Sequence, residues 1–158
     1  MPSLDEYLNT SYDPDVEFVD GVLCQRNVGD WLHSLVQSNL LFTLAREYSQ
    51  VFAVPTLRSK TIESRYRLPD VSVLLSAPKT KYLPEAAFIA IEILSEDDRM
   101  TEVMTKLAEY EDSGVAHIWL IDPRLKTLSV YSGWNLNRVD AFQAGDIELT
   151  ADEIFSSC

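Results

Sequence analysis

Asp70, Glu92 and Lys106 are the residues of this chain best suited by type and spacing to phosphate chemistry. Asp70 ends the segment RLPD and opens onto the apolar run VSVLL, and Glu92 lies within the apolar run FIAIEIL. A carboxylate set in a strand-like apolar run loses hydration, so a chain that keeps two of them there needs a compensating charge. A divalent cation supplies it, because Mg²⁺ takes oxygen ligands and is commonly held by one or two carboxylates together with substrate phosphate. A lysine nearby would orient a water as the ammonium or deprotonate it as the neutral amine. The combined chemistry is the cutting of a phosphodiester bond.

Residues two apart in a strand share a face, so Glu92 goes with Ala90 and Leu94 while Ile91 and Ile93 point the other way. Pro69 cannot donate a ladder hydrogen bond and favours a strand's start or edge, which puts Asp70 at the entry to its strand. If the two strands are neighbours, both acids reach one ion, with the backbone carbonyl of Ile93 as a third oxygen. Lys106 borders the apolar stripe of the next helix, one turn from Val103 and Tyr110, where a long aliphatic stem allows the amine to reach inward. Taken alone it reads as a surface lysine paired with Glu102; the company of Asp70 and Glu92 promotes it.

Other candidates carry less. Glu17, before the Asp20-Gly21 turn, either approaches the metal from the first hairpin or sits solvated at a strand edge. His33 lies on the first long helix beside Leu32 and reads first as a surface or half-buried side chain. His117, within VAHIWLI, reads as structural. Two histidines and no spaced cysteine set do not make a zinc site. No GxSxG, GxxxxGK or GxGxxG segment is present, so neither a nucleophile elbow nor those nucleotide-binding loops are indicated.

These residues need elements to hold them. Residues 3–10 form a short helix capped by Ser3, and EFVDGVLCQ a hairpin turning at Asp20-Gly21. A helix over 31–48, capped by Asp30, carries the stripe Leu32, Leu35, Val36, Leu40 and Leu44. VFAVPTL, the KTIE region and YRLPDVSVLL read as strands, SAPKTKYLPE as a loop, and AAFIAIEIL as a strand buried on both faces. A helix opens at SEDD, with Ser95 as cap and Asp98 at the capping-box position, and closes at Gly114. VAHIWLI and TLSVYS form a hairpin across DPRLK, and the tail from Trp134 to Phe155 adds one strand and a short helix. The order predicts an α/β (α+β) domain over residues 1–158, a mixed central sheet flanked by helices.

The net charge of −12 argues against loose, charge-driven attachment to nucleic acid. Its distribution is uneven: residues 58–81 carry +4 and residues 82–122 carry −8. Arg65 and Arg67 lie in the basic stretch, which is read either as a phosphate-contacting edge or as a solvated face. No apolar run is long enough to span a bilayer, and the acidic N-terminus lacks the features of a secretion signal. Cys24 and Cys158, far apart, read as free thiols in a reducing cytoplasm.

Pro69-Asp70, Glu92-Ile93-Leu94, a helix with Lys106 and Tyr110, and then GVAHIWLIDP together resemble the Uma-two family of the PD-(D/E)XK, restriction-endonuclease-like superfamily. The likeness runs from about Glu17 to the C-terminus. It implies a restriction-endonuclease-like fold, Mg²⁺ or Mn²⁺ at Asp70 and Glu92, and Lys106 in place of the lysine missing at Leu94. Glu17 becomes an outer-shell or second-metal carboxylate. The implied activity is metal-dependent endonucleolytic cleavage of DNA, with a twofold homodimer addressing both strands. The alternative is a catalytically inactive nuclease-fold interaction or regulatory module, which the acidic surface favours. A small hydrolase for another phosphate ester is a third reading.

Overall fold

The computed structural model describes residues 1–158. A six-stranded mixed sheet runs in the order β10-β9-β8-β7-β6-β3, and β7 (Ile89–Ile93) sits inside it. Every residue of β7 is buried, as its nearly unbroken apolar sequence requires. It pairs antiparallel with β6 (Val71–Leu74) and parallel with β8 (His117–Asp122). A parallel return needs a crossover, and helix α3 (Met100–Ser113) provides it. The outer strands are β3 (Phe52–Pro55) on one side, and β9 (Thr127–Ser132) and β10 (Asn135–Val139) on the other.

The alternation of β7 decides what covers each face. Ile89, Ile91 and Ile93 join Val71, Val73 and Trp119 in the main core, closed by Val36, Leu40 and Leu44 of helix α2 (Trp31–Glu47). Ala90 faces the opposite way, into a smaller core with Val103, Leu107 and Tyr110 of α3. Asp30 caps α2 by accepting the His33 N–H at 2.9 Å. Gly114 ends α3 at φ 98°, a left-handed position where a side chain would be strained.

A second, four-stranded sheet has the order β2-β1-β5-β4. Its hairpin, β1 (Glu17–Val19) and β2 (Val22–Cys24), turns on Asp20 and Gly21, both at positive φ as a two-residue hairpin turn demands. Helix α1 (Leu4–Leu8), capped by Ser3, packs Tyr7 against Phe18 and Tyr66.

Four expectations differ from what is observed. YRLPDVSVLL is two strands in two sheets: β5 (Arg65–Arg67) joins β1, β6 joins β7, and the chain changes sheets at Leu68-Pro69, where proline has no N–H for a ladder. The KTIE region contributes only the end of β4 (Ser59–Lys60) before turning through Ser64 at φ 66°. Helix α3 opens at Met100 and not at SEDD, because the Asp98 side chain instead accepts the Ser95 N–H at 2.8 Å and closes a turn. The tail holds more strand than predicted: β10, the hairpin β11 (Ala141–Ala144) with β12 (Ile147–Thr150), and then helix α4 (Ala151–Ile154). The β11–β12 hairpin seals the core by stacking Phe142 flat on Trp119, with ring centroids 4.3 Å apart.

Candidate active site

Asp70 occupies the corner where the chain leaves one sheet for the other. It stands one residue before Val71, which pairs with Ile91, so the register carries Asp70 opposite Glu92. The Ile93 N–H donates to Asp70 Oδ2 at 2.8 Å, and Gln37 Nε2 donates to its backbone carbonyl at 2.8 Å. On Oδ1 converge His33 Nε2, at 3.1 Å, and the Arg26 guanidinium. Glu92 lies on the α3 side of β7, as the strand alternation predicts, and its Oε1 accepts the Tyr110 hydroxyl at 2.5 Å. Both acids are buried.

Lys106 turns inward. Its amine is 3.0 Å from Glu17 Oε1, and with Asp70, Glu92, Ile93, His33 and Arg26 it lines one cavity of about 30 Å³, room for about one water. Pairing with Glu102 is not observed. Glu17 is only 2% exposed and not a solvated edge residue; besides Lys106 it accepts the Leu68 N–H at 2.9 Å and one Arg67 nitrogen at 3.3 Å. The hairpin therefore fixes the carboxylate that holds the lysine amine beside the acids.

Charge follows this geometry. Burial disfavours the Asp70 carboxylate, but the His33 hydrogen bond, the charge of Arg26 and the Ile93 N–H outweigh it and hold its pKa well below the usual range. Glu92 goes the other way: burial and the charge of Asp70 push it up to about 8, against the pull of Lys106, Arg26 and Tyr110. For Lys106, burial is outweighed by Glu92 and Glu17, so its pKa is raised and it remains an ammonium at neutral pH. It donates hydrogen bonds there.

The donor chemistry fits a hard divalent cation. Two buried carboxylates face one cavity, where burial and the charge of Asp70 keep the proton on Glu92 near neutrality. No group of three His, Cys, Asp or Glu side chains forms a ready cage. Such an ion would rest on Asp70, Glu92 and backbone oxygen, with water and phosphate completing its shell.

The family model described as "Putative restriction endonuclease", Uma2, matches residues 4–154. The chain belongs to the Uma2 family. Its fold matches the crystal structure of a "putative nuclease belonging to DUF820" from Anabaena variabilis, with a TM-score of 0.81 and 25% identity over 99% of this chain and 98% of that one. A DrdV–DNA complex aligns with a TM-score of 0.38 and 14% identity, over 73% of this chain and 87% of that one. Among curated proteins no relative matches significantly.

In this Uma2 chain the arginines of the basic stretch form ion pairs. Arg67 is buried and forks onto Glu109 while reaching Glu17; Arg65 pairs with Asp20 and Glu109. Both lock the second sheet to α3 through Glu109, and Arg67 also lines the open cleft beside Lys106. His33 is buried against Asp70. Two residues escaped sequence reasoning. Gln37 had a legible signal, since it follows His33 by one helical turn on the same face. Arg26 had none, being a lone arginine in the irregular segment after β2.

These shifts predict an unusual pH profile for the metal-free Uma2 protein. Glu92 keeps its proton in the fold while the unfolded chain releases it near 4.5, so its contribution to stability declines as pH rises from there to about 8. His33, whose pKa Asp70 raises against burial, likewise loses its contribution as pH climbs through its folded value. Asp70 acts in reverse, stabilising above the ordinary carboxylate range and failing only in strong acid. Thermal melts in chelator should therefore peak in mild acid and fall by more than about 5 °C toward pH 8. Glu92→Gln should flatten that fall; a wild-type curve rising toward pH 8 would mean that Glu92 is ionised in the fold.

Proposed function

We propose that this chain is a divalent-metal-dependent endonuclease that hydrolyses DNA phosphodiester bonds. The observation that carries the reading is the convergence of Asp70, Glu92 and Lys106 on one buried cavity in a chain of the Uma2 family. Asp70 and Glu92 would hold Mg²⁺ or Mn²⁺, joined by the Ile93 carbonyl. When bound, the ion would polarise the scissile phosphate and lower the pKa of a water. The protein's own groups do the rest. Tyr110 orients Glu92, and His33 and the Ile93 N–H orient Asp70. Lys106, anchored by Glu17, directs its ammonium at the developing negative charge. A homodimer would offer one such site to each DNA strand.

The test is incubation of supercoiled plasmid with Mg²⁺ or Mn²⁺, beside a chelator control and the Asp70→Asn variant. Nicking that needs the metal and the aspartate is the expected result; equal nicking in the variant would rule out this site. A second reading, a nuclease-fold module without catalysis, draws support from the Arg26 ion pair on Asp70 and the net charge of −12. Failure of the wild type to take up Mn²⁺ in a calorimetric titration would favour it.

A further inference from the structure

Arg26 stands where two cavities meet. The inner one, of about 30 Å³, holds Asp70 and Glu92; the outer cleft, of about 590 Å³, is lined by Glu17, Arg67, Arg99, Thr101 and Lys106 among others; Arg26, Asn27, Asp98, Val103 and Lys106 border both. The guanidinium rests on Asp70 Oδ1, the oxygen that His33 also uses, while Oδ2 takes the Ile93 N–H. A cation approaching Asp70 from the cavity therefore competes with these three donors for the carboxylate. The Ile93 N–H belongs to the buried strand β7. His33 belongs to α2, and its ring is packed so closely under the connecting segment that a Cβ on Gly29 would lie 2.6 Å from Nδ1. Arg26 is the donor able to leave: it lies in the irregular segment 25–30, its side chain retains 19% exposure, and apart from Arg26 itself the segment is tied across the cavity by Asn27 Nδ2 to Asp98 Oδ1, at 2.8 Å.

We propose that Arg26 is an exchangeable counter-ion, which holds Asp70 in the metal-free protein, yields it to a divalent cation, and then meets a substrate phosphate in the outer cleft. This rests on the nuclease reading above and adds a phosphate-binding residue and an order of events to it. A dication shared by two carboxylates outcompetes one guanidinium on a single carboxylate. The released guanidinium keeps a planar fork of donors that matches phosphate geometry. The outer cleft already holds the cations of Lys106 and Arg99.

The experiment is calorimetric titration of the full chain with Mn²⁺ alone, comparing wild type, Arg26→Gln and Asn27→Ala, followed by duplex oligonucleotide binding in Ca²⁺ for wild type and Arg26→Gln. Because the resident guanidinium reduces the fraction of competent sites, Arg26→Gln should bind Mn²⁺ roughly tenfold tighter, and its melting temperature should rise more on Mn²⁺ addition. Asn27→Ala, which loosens the segment and keeps the charge, should bind roughly twofold to threefold tighter. Duplex affinity of Arg26→Gln should fall, with the salt slope reduced by about one.

Mn²⁺ affinities at or below wild type in the variants overturn the exchange; if Arg26→Gln does not fold, Asn27→Ala decides this by itself. Tighter Mn²⁺ binding with unchanged duplex affinity overturns the phosphate step. Absence of Mn²⁺ uptake in every protein, wild type included, instead defeats the nuclease reading on which the proposal stands.

Discussion

Asp70→Asn should abolish Mn²⁺ uptake and DNA cleavage and destabilise the metal-free protein by about 3 kcal/mol. The carboxylate is the common partner of Arg26, His33 and the Ile93 N–H. An amide of the same shape keeps one oxygen for Ile93 but brings an NH₂ toward groups that are themselves donors. Removing one partner of a buried ion pair costs about 3–5 kcal/mol, and the partial exposure of Arg26 puts the expected loss at the low end. For a chain of this size that is a drop of about 6–12 °C in Tm. With the charge of Asp70 gone, Glu92 also loses one of the two causes that raise its pKa, so the fall in stability toward pH 8 should shrink. Melts in chelator, a Mn²⁺ titration and a plasmid assay read the three effects. Wild-type cleavage by a folded Asp70→Asn protein would put the chemistry elsewhere.

Lys106→Met should separate catalysis from metal binding. The amine is held by Glu17 and attracted by Glu92, and it remains charged at neutral pH. Its contribution is that of a preorganised donor at the transferring phosphate, and loss of such a donor costs about 100- to 1000-fold in rate. Methionine preserves the aliphatic stem, one helical turn from Val103. Mn²⁺ affinity should stay level or improve, because a positive charge has been removed beside the ion. Glu17 keeps Arg67 and the Leu68 N–H, so the fold should survive. Single-turnover cleavage with saturating Mn²⁺ is the measurement. An unchanged rate would reduce Lys106 to a structural partner of Glu17; a parallel loss of Mn²⁺ affinity would show that it supports the acids and not the reaction.

How legible the site was varied with how local its causes are. The face of β7 that carries Glu92 follows from alternation alone, and the structure has it so. The caps at Ser3 and Asp30 and the closing glycine of α3 are short-range hydrogen-bond and φ requirements, visible in a few residues. Helix α3 shows the limit of such signals: SEDD has the composition of a helix start, yet Asp98 Oδ2 closes a turn on the Ser95 N–H while its Oδ1 accepts from distant Asn27. Arg65 and Arg67 looked like a surface charge run because a sequence does not display the carboxylates opposite, 42 to 50 residues away in the chain.

The sequence by itself determined most of the elements, the mixed α/β class and the presence of two acids and a lysine at spacings compatible with one site. Those features depend on side-chain periodicity and local backbone preference, which act over one strand or one helical turn. Only the tertiary structure decided that Pro69 divides its run between two sheets, that Glu17 is buried to anchor Lys106, and that Arg26 rests on Asp70. Burial and pairing of charge are long-range: each carboxylate chooses among cations brought near by packing, and the lowest free energy belongs to the whole set of pairs, not to any stretch of chain.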